Sequence, residues 1–227
     1  MPKAVILDID NTLYSYDEAH AAAYHALTAY ARQRLSMPPK AFDELHRLGS
    51  TLLEEHSGGR CAAIHNRLIR YQLMLEHARL PILHAPVMAE LYWTTLLASM
   101  KPFPGVVTAL RAIRDRGRIL GIGTNMTADR QFEKLDRLEI LPLIDFMVTS
   151  EEVSAEKPDR RLFDCCARKA GCAPKECVFV GDSLRGDVQG ALDAGMAAIW
   201  FHPGPDDPEL PPGARRIRSF DELPDLI

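Results

Sequence analysis

A doubly wound parallel α/β sheet, interrupted after its first strand by an all-helical insertion, is the fold this sequence predicts. Short, continuously apolar, β-branched runs alternate with helix-period segments, as in a parallel sheet with both faces covered by crossover helices. Each run stops in a small or polar cluster. One long stretch, from about Ser15 to Met100, breaks the alternation and holds no convincing strand.

The first run, residues 3–7, leads into Asp8. The insertion reads as four helices over residues 17–35, 40–55, 61–78 and 86–99, separated by Met37-Pro-Pro, Ser57-Gly-Gly and Leu80-Pro81. Lys101-Pro-Phe-Pro-Gly105 returns the chain to the sheet. A helix over 106–116 closes at Gly117, a C-terminal stop signal. Residues 118–123 form the next strand and run into Thr124; a helix over 127–138 follows, with Phe132, Leu135 and Leu138 on one stripe. Residues 146–148 lead to Thr149 and Ser150. The helix over 159–170 closes at Gly171, the strand 177–180 runs into Gly181-Asp182, and the helix over 184–194 closes at Gly195. A last strand, 197–201, stops at His202-Pro203. Residues 203–212 are expected as a surface loop, and Arg215, Arg216 and Arg218 as a solvated edge. The expected seams divide the chain into an α/β core, residues 1–15 and 101–227, and a helical insertion, residues 16–100.

Composition narrows the function classes. Among 227 residues, 27 Lys+Arg face 31 Asp+Glu, a net charge of −4. That balance argues against a nucleic-acid binder held by bulk charge. No apolar run nears the ~18 residues of a membrane span, and the start lacks the basic-then-apolar order of a signal peptide. A soluble cytoplasmic protein is expected. Five cysteines with no Cys-x-x-Cys spacing read as reduced, mostly buried thiols rather than a zinc site.

The chemistry gathers at strand exits. Asp8-Ile-Asp10-Asn-Thr-Leu-Tyr14 places two carboxylates two residues apart, pointing the same way if the strand continues. The alternative is a turn stapled by Asx hydrogen bonds. Gly181-Asp-Ser-Leu-Arg-Gly-Asp187 adds Asp182 and Asp187 at another exit. Four acids along one sheet edge are costly without a hard cation, and an all-oxygen set suits Mg²⁺. In open α/β sheets, ligands lie outside the strand C-termini where strand order reverses. Thr124-Asn125, ahead of a helix, offers a hydroxyl and backbone N–H groups to a phosphate. Lys157, before Pro158, sits near a positive helix end, a placement that calls for an anion.

These motifs, in this order and with the insertion in this place, resemble the haloacid dehalogenase-like hydrolase superfamily, in its branch with a helical cap. Asp8 and Asp10 match its first motif, Thr124 the second, Lys157 the third, and Asp182 with Asp187 the fourth. The resemblance implies a Rossmann-like core and a Mg²⁺-dependent phosphatase. Asp8 would be the nucleophile that forms an aspartyl-phosphate, and Asp10 the general acid and base. Thr124, Asn125 and Lys157 would hold the phosphoryl oxygens. Asp8, the Asp10 backbone carbonyl, Asp182 and Asp187 would hold the metal. Gly186 departs from the pattern, since many relatives carry a polar residue there, and leaves the outer metal shell open. The residues Asn11–Tyr14 and Ser150–Val153 look most like the nucleoside 5′-monophosphate phosphatases of the superfamily. Sugar and other small phosphate monoesters compete, and a phosphomutase is less firmly set aside.

Other readings rest on single features. Two acids in the first motif speak against halide removal, which needs no proton donor. Gly181-Asp-Ser-Leu184 spells an esterase signature, but Ile199 stands where the acid ahead of His202 would belong. Gly121-Ile-Gly123 lacks the third glycine of a dinucleotide loop, its place taken by Met126. A binding module without catalysis would most naturally lose Asp8, Asp10 or Asp182. In the insertion, His56, Arg60, His65 and Arg67 flank the Ser57-Gly-Gly turn and could reach a polar substrate, or else lie on helix surfaces. Tyr24, Tyr30, Tyr71, Tyr92 and Trp93 read as packing between helices rather than base stacking. The expected partner is a small phosphorylated metabolite, with no nucleic acid polymer and no membrane; the oligomeric state is unreadable.

Overall fold

The computed structural model describes residues 2–58, 65–206 and 208–227. The chain splits into two compact units, Met1–Ser15 with Lys101–Ile227, and Tyr16–Met100.

In the first unit, six parallel strands form one sheet: β1 (Ala4–Leu7), β2 (Ile119–Thr124), β3 (Phe146–Thr149), β4 (Cys177–Gly181), β5 (Ala197–Phe201) and β6 (Ala214–Ile217). Their spatial order is β3-β2-β1-β4-β5-β6. The chain builds outward from β1 on one side, then returns to build outward on the other. The strand order therefore reverses beside β1, the position where an open α/β sheet leaves a crevice at its C-terminal edge. β1 is buried throughout, and continuous Val/Ile/Leu is what that position requires.

The last strand differs from the expected solvated edge. Its Ala-Arg-Arg-Ile sequence pairs with β5. Arg215 and Arg218 do face solvent, but Arg216 turns inward. Its guanidinium lies 5.1 Å from the centre of the Trp200 ring and donates to the carbonyls of His202 and Gly204. An edge strand with one wet face tolerates such charge.

The helices of this unit, which include α5 (Val106–Asp115), α6 (Ala128–Arg137), α7 (Ser150–Val153) and α8 (Arg160–Lys169), also correct details. Helix α6 (Ala128–Arg137) buries Gln131, Lys134 and Leu135, whereas Phe132 is exposed. The apolar stripe expected through Phe132 is thus rotated by one position and carries two polar residues inward. Helix α8 starts one residue later than expected, with Asp159 as its N-cap. The segment 184–194 is a π-helical turn (Leu184–Gln189) running into a short α-helix, Gly190–Asp193. Such wide turns recur at functional sites because they re-aim a side chain.

The second unit contains α1 (Tyr16–Arg34), α2 (Pro39–Ser57), α3 (Arg67–His77) and α4 (His84–Ser99). Helix α1 buries Ala19, Ala23, Leu27 and Ala31 at four-residue spacing, a small-residue face that lets neighbours approach closely. Gly58, at φ 59°, ends α2 in the left-handed conformation glycine adopts freely. The helix expected over 61–78 starts later: Asn66 Oδ1 accepts from the Ile69 N–H, so α3 begins at Arg67. Residues 61–64 of that expectation lie outside the described residues. No helix among the described residues is long and apolar enough to cross a membrane.

Candidate active site

Sheet register brings the motif residues to one edge. Leu7 pairs with Val180, and the Asp8 N–H donates to the Val180 carbonyl at 2.9 Å. The exits of β1 and β4 are therefore neighbours. Asp8, Asp182 and Asp187 each present an oxygen within 4.8 Å of the others. Lys157 Nζ lies 2.6 Å from Asp8 Oδ1 and 2.7 Å from Asp187 Oδ1. Asn125 Oδ1 accepts from the Lys157 backbone N–H at 2.9 Å, tying the exit of β2 to the loop that carries the lysine.

Asp187 is placed by its turn and by Gly181. The Ser183 N–H donates to Asp187 Oδ2 at 2.9 Å, and a Cβ at Gly181 would come within 2.3 Å of that carboxylate. Gly186 has a local reason too. Its N–H donates to Ser183 Oγ, and a Cβ there would stand 3.0 Å from that hydroxyl. Ser183 is thus a capping acceptor. Among the described residues it has no hydrogen bond to His202, which stacks on Trp200, so the esterase reading has no triad.

Electrostatically the cluster is short of positive charge. Burial pushes Asp8 up to about 6, with Lys157 opposing and Asp187 and Asp10 adding to the rise. Burial likewise pushes Asp182 up to about 7, reinforced by Asp8 and Asp187. Burial disfavours the Lys157 ammonium, but Asp187 and Asp8 more than offset this and its pKa is raised. Asp187 Oδ1 has the Lys157 ammonium beside it at 2.7 Å, a cation it shares with Asp8. Three carboxylates whose oxygens lie within 4.8 Å of one another, facing one shared ammonium, are an all-oxygen donor set that fits a hard divalent cation.

This has a pH signature. Both carboxyls bind protons more tightly in the folded protein than an ordinary aspartate, whose value is 3.8. Their protonation therefore supports the metal-free fold at low pH, and that support is lost as pH rises from about 4 through about 7. A cation held by these carboxylates would replace those protons. Added Mg²⁺ is expected to raise the melting temperature more at pH 8 than at pH 5, measured by calorimetry. An equal or larger rise at pH 5 would contradict the assignment of Asp8 and Asp182 as ligands.

Asp10 points elsewhere. Both of its carboxylate oxygens lie 2.7 Å from Lys134 Nζ, and Oδ1 accepts from the Tyr14 hydroxyl at 2.5 Å. Lys134 is fully buried, so its charge acts on Asp10 with little screening by water. Thr124 Oγ1 accepts from Gln131 Nε2 at 2.8 Å, a bond that orients the hydroxyl. Of the insertion residues, His56 is exposed at the end of α2, His65 is half-buried, and Arg60 lies outside the described residues. Lys134 and Gln131 are residues that motif reading passed over. The available signal was the spacing of 131, 134, 135 and 138, one face of a helix.

The chain is similar to known hydrolases. A family model of haloacid dehalogenase-like hydrolases matches residues 2–195. A ribulose-1,5-bisphosphate 5-phosphatase from Halopiger xanaduensis is 31% identical, with all of both chains covered. A glyceraldehyde 3-phosphate phosphatase from Methanopyrus kandleri is 33% identical over all of this chain and 92% of its own. A pyrimidine 5′-nucleotidase from Escherichia coli is 25% identical, covering 98% and 96%. Among solved structures, a 2-haloacid dehalogenase from Pseudomonas syringae superposes with a TM-score of 0.77 at 26% identity, covering 100% and 98%. The chain belongs to the haloacid dehalogenase-like hydrolase family and is a phosphoric monoester hydrolase within it.

Proposed function

We propose that this protein is a Mg²⁺-dependent phosphatase that hydrolyses a small phosphomonoester through an aspartyl-phosphate on Asp8. The observation that carries the reading is the meeting of Asp8, Asp182, Asp187 and Lys157 at the strand exits beside β1. Residues 1–15 and 101–227 would be the catalytic core, and residues 16–100 its cap. Cap residues would recognise the leaving alcohol, His56 and Arg60 among the candidates.

An Asp8 oxygen attacks phosphorus, and the bond from phosphorus to the leaving oxygen breaks. Asp10 gives that oxygen a proton, then takes one from the water that attacks the aspartyl-phosphate. Lys157, the Thr124 hydroxyl and the Asn125 N–H hold the phosphoryl oxygens as charge develops. Asp8, Asp182, Asp187 and the Asp10 carbonyl would hold Mg²⁺, which supplies charge neutralisation for phosphate approaching a carboxylate. Lys134 and Tyr14 fix the Asp10 carboxylate. Lys134→Met is therefore expected to lower kcat by about 10- to 100-fold, the scale of a mispositioned general acid. Steady-state kinetics would check this; a kcat within twofold of the parent would show the ion pair to be dispensable.

Small sugar phosphates are the first substrate class, because three relatives above 30% identity that align with most of this chain carry names of sugar and triose phosphate phosphatases. Nucleoside 5′-monophosphates are the second reading. The nucleotidase relative and the residues Asn11–Tyr14 and Ser150–Val153 support it. Release of inorganic phosphate from a panel of both classes with Mg²⁺ tests the proposal. Turnover confined to one class decides between them, and no release from any member would overturn both.

A further inference from the structure

The peptide unit that joins Asp182 to Ser183 is held at both ends, and one hold comes from another strand. Asp182 lies past the end of β4 and ahead of the π-helical turn, outside both. The Trp200 indole Nε1–H donates to the Asp182 carbonyl at 2.6 Å. At the other end of the same peptide, the Ser183 N–H donates to Asp187 Oδ2 at 2.9 Å. Asp187 Oδ1 lies 2.7 Å from Lys157 Nζ, which is 2.6 Å from Asp8 Oδ1. A continuous chain of polar contacts therefore runs from β5 to the carboxylates gathered beside β1.

Sheet register lets a tryptophan do this. Trp200 pairs with Gly181 across β4 and β5, so it stands level with the residue before Asp182. Strand side chains lean along the strand, and the indole is long enough to reach the exit. The ring is buried, at 4% exposure. It stacks on His202 with centroids 4.4 Å apart and planes 4° apart, and the Arg216 guanidinium carbon lies 5.1 Å from its centre. These contacts fix the plane of the ring and so the aim of its N–H.

A buried indole N–H needs an acceptor, but any carbonyl within reach would meet that need. Here the acceptor belongs to the peptide whose own N–H holds a carboxylate of the cluster. A carbonyl that accepts a hydrogen bond makes the N–H of the same peptide a stronger donor, because bonds in a chain polarise one another. Fixing this plane both orients the Asp187 carboxylate and steadies its charge.

We propose that Trp200 is a positioning residue of the candidate metal site, acting through the Asp182–Ser183 peptide to hold Asp187 in the geometry that receives a divalent cation. The inference rests on the reading of Asp8, Asp182 and Asp187 as cation ligands.

Calorimetric titration of the metal-free protein with Mg²⁺ tests it. Trp200→Phe keeps an aromatic ring on β5 and removes the N–H. Its Mg²⁺ dissociation constant is expected to rise about tenfold or more, the scale for loss of a group that orients a ligand. Arg216→Met loosens the same stack and keeps the N–H. It is expected to lower the melting temperature while leaving the dissociation constant within about threefold of the parent, below that scale. Excess Mg²⁺ should restore most of the kcat that Trp200→Phe loses at limiting Mg²⁺. Parent-like Mg²⁺ binding by Trp200→Phe would overturn the proposal. Equal weakening in both variants would also overturn it, since that marks a packing role.

The indole itself gives a readout in the parent protein, which holds even where Trp200→Phe fails to fold. The chain has two tryptophans, and Trp93→Phe identifies their indole N–H resonances. The Trp200 resonance is expected to exchange slowly with solvent and to shift when Mg²⁺ is added; a resonance indifferent to Mg²⁺ would overturn the proposal. A parent that binds no Mg²⁺ would sink the metal reading itself, whereas a parent that binds it beside an unaffected Trp200→Phe strikes Trp200 alone.

Discussion

Asp8→Asn is expected to abolish phosphate release, by at least about 10⁴-fold, the scale set by removal of a covalent nucleophile. The substitution is nearly isosteric, but an amide cannot attack phosphorus and it removes the negative charge that Lys157 contacts at 2.6 Å. Folding should survive and improve. Asp8 is buried with two other acids, so neutralising it relieves repulsion where burial already opposes the charge. Phosphate release and calorimetry together check the pair of outcomes, activity lost and melting temperature held or raised. Turnover within tenfold of the parent would remove Asp8 from the reaction.

The second large effect is at a residue with no side chain. Gly181→Ala puts a methyl group within 2.3 Å of the Asp187 carboxyl carbon and Oδ2 and 2.5 Å of its Cβ. Something must move. Asp187 is held from the other side by the Ser183 N–H and by Lys157, so displacing it also disturbs the lysine that touches Asp8. A displacement near 1 Å at a reacting group costs about 100-fold in rate, and overpacking of this kind destabilises by roughly 1–3 kcal/mol. The expected variant is folded, weakened in Mg²⁺-induced stabilisation and slowed by about 100-fold. Kinetics with a Mg²⁺ titration would measure it. Parent-like rates would mean that Asp187 need not lie over Gly181.

How much of this was legible in the chain depended on how each element is stabilised. Strands β1, β2, β4 and β5 are buried on both faces, and that burial writes itself as continuous apolar sequence. Strand β6 was not legible, because a sheet edge tolerates Arg215 and Arg216 that an interior strand would reject. Motif spacing placed Asp8, Asp182, Asp187 and Lys157 at strand exits, but their convergence depends on β1 lying between β2 and β4, a tertiary fact. Lys134 was hidden for a different reason. A lysine in a helix ordinarily reads as solvated, and only the presence of Asp10, 124 residues earlier in the chain, explains its burial. The start of α3 was misread because apolar periodicity ran on through Asn66, whose side chain caps the helix instead.

The central claim is that the phosphoryl group passes through Asp8, and acid-quenched single turnovers with enzyme in excess test it most directly. Peptide mass spectrometry across the time course is predicted to show one added phosphoryl group on Asp8, appearing before free phosphate and decaying as phosphate is released. It should be absent in Asp8→Asn. Phosphate appearing with no modified peptide at any time, or with the group on another residue, would contradict the account.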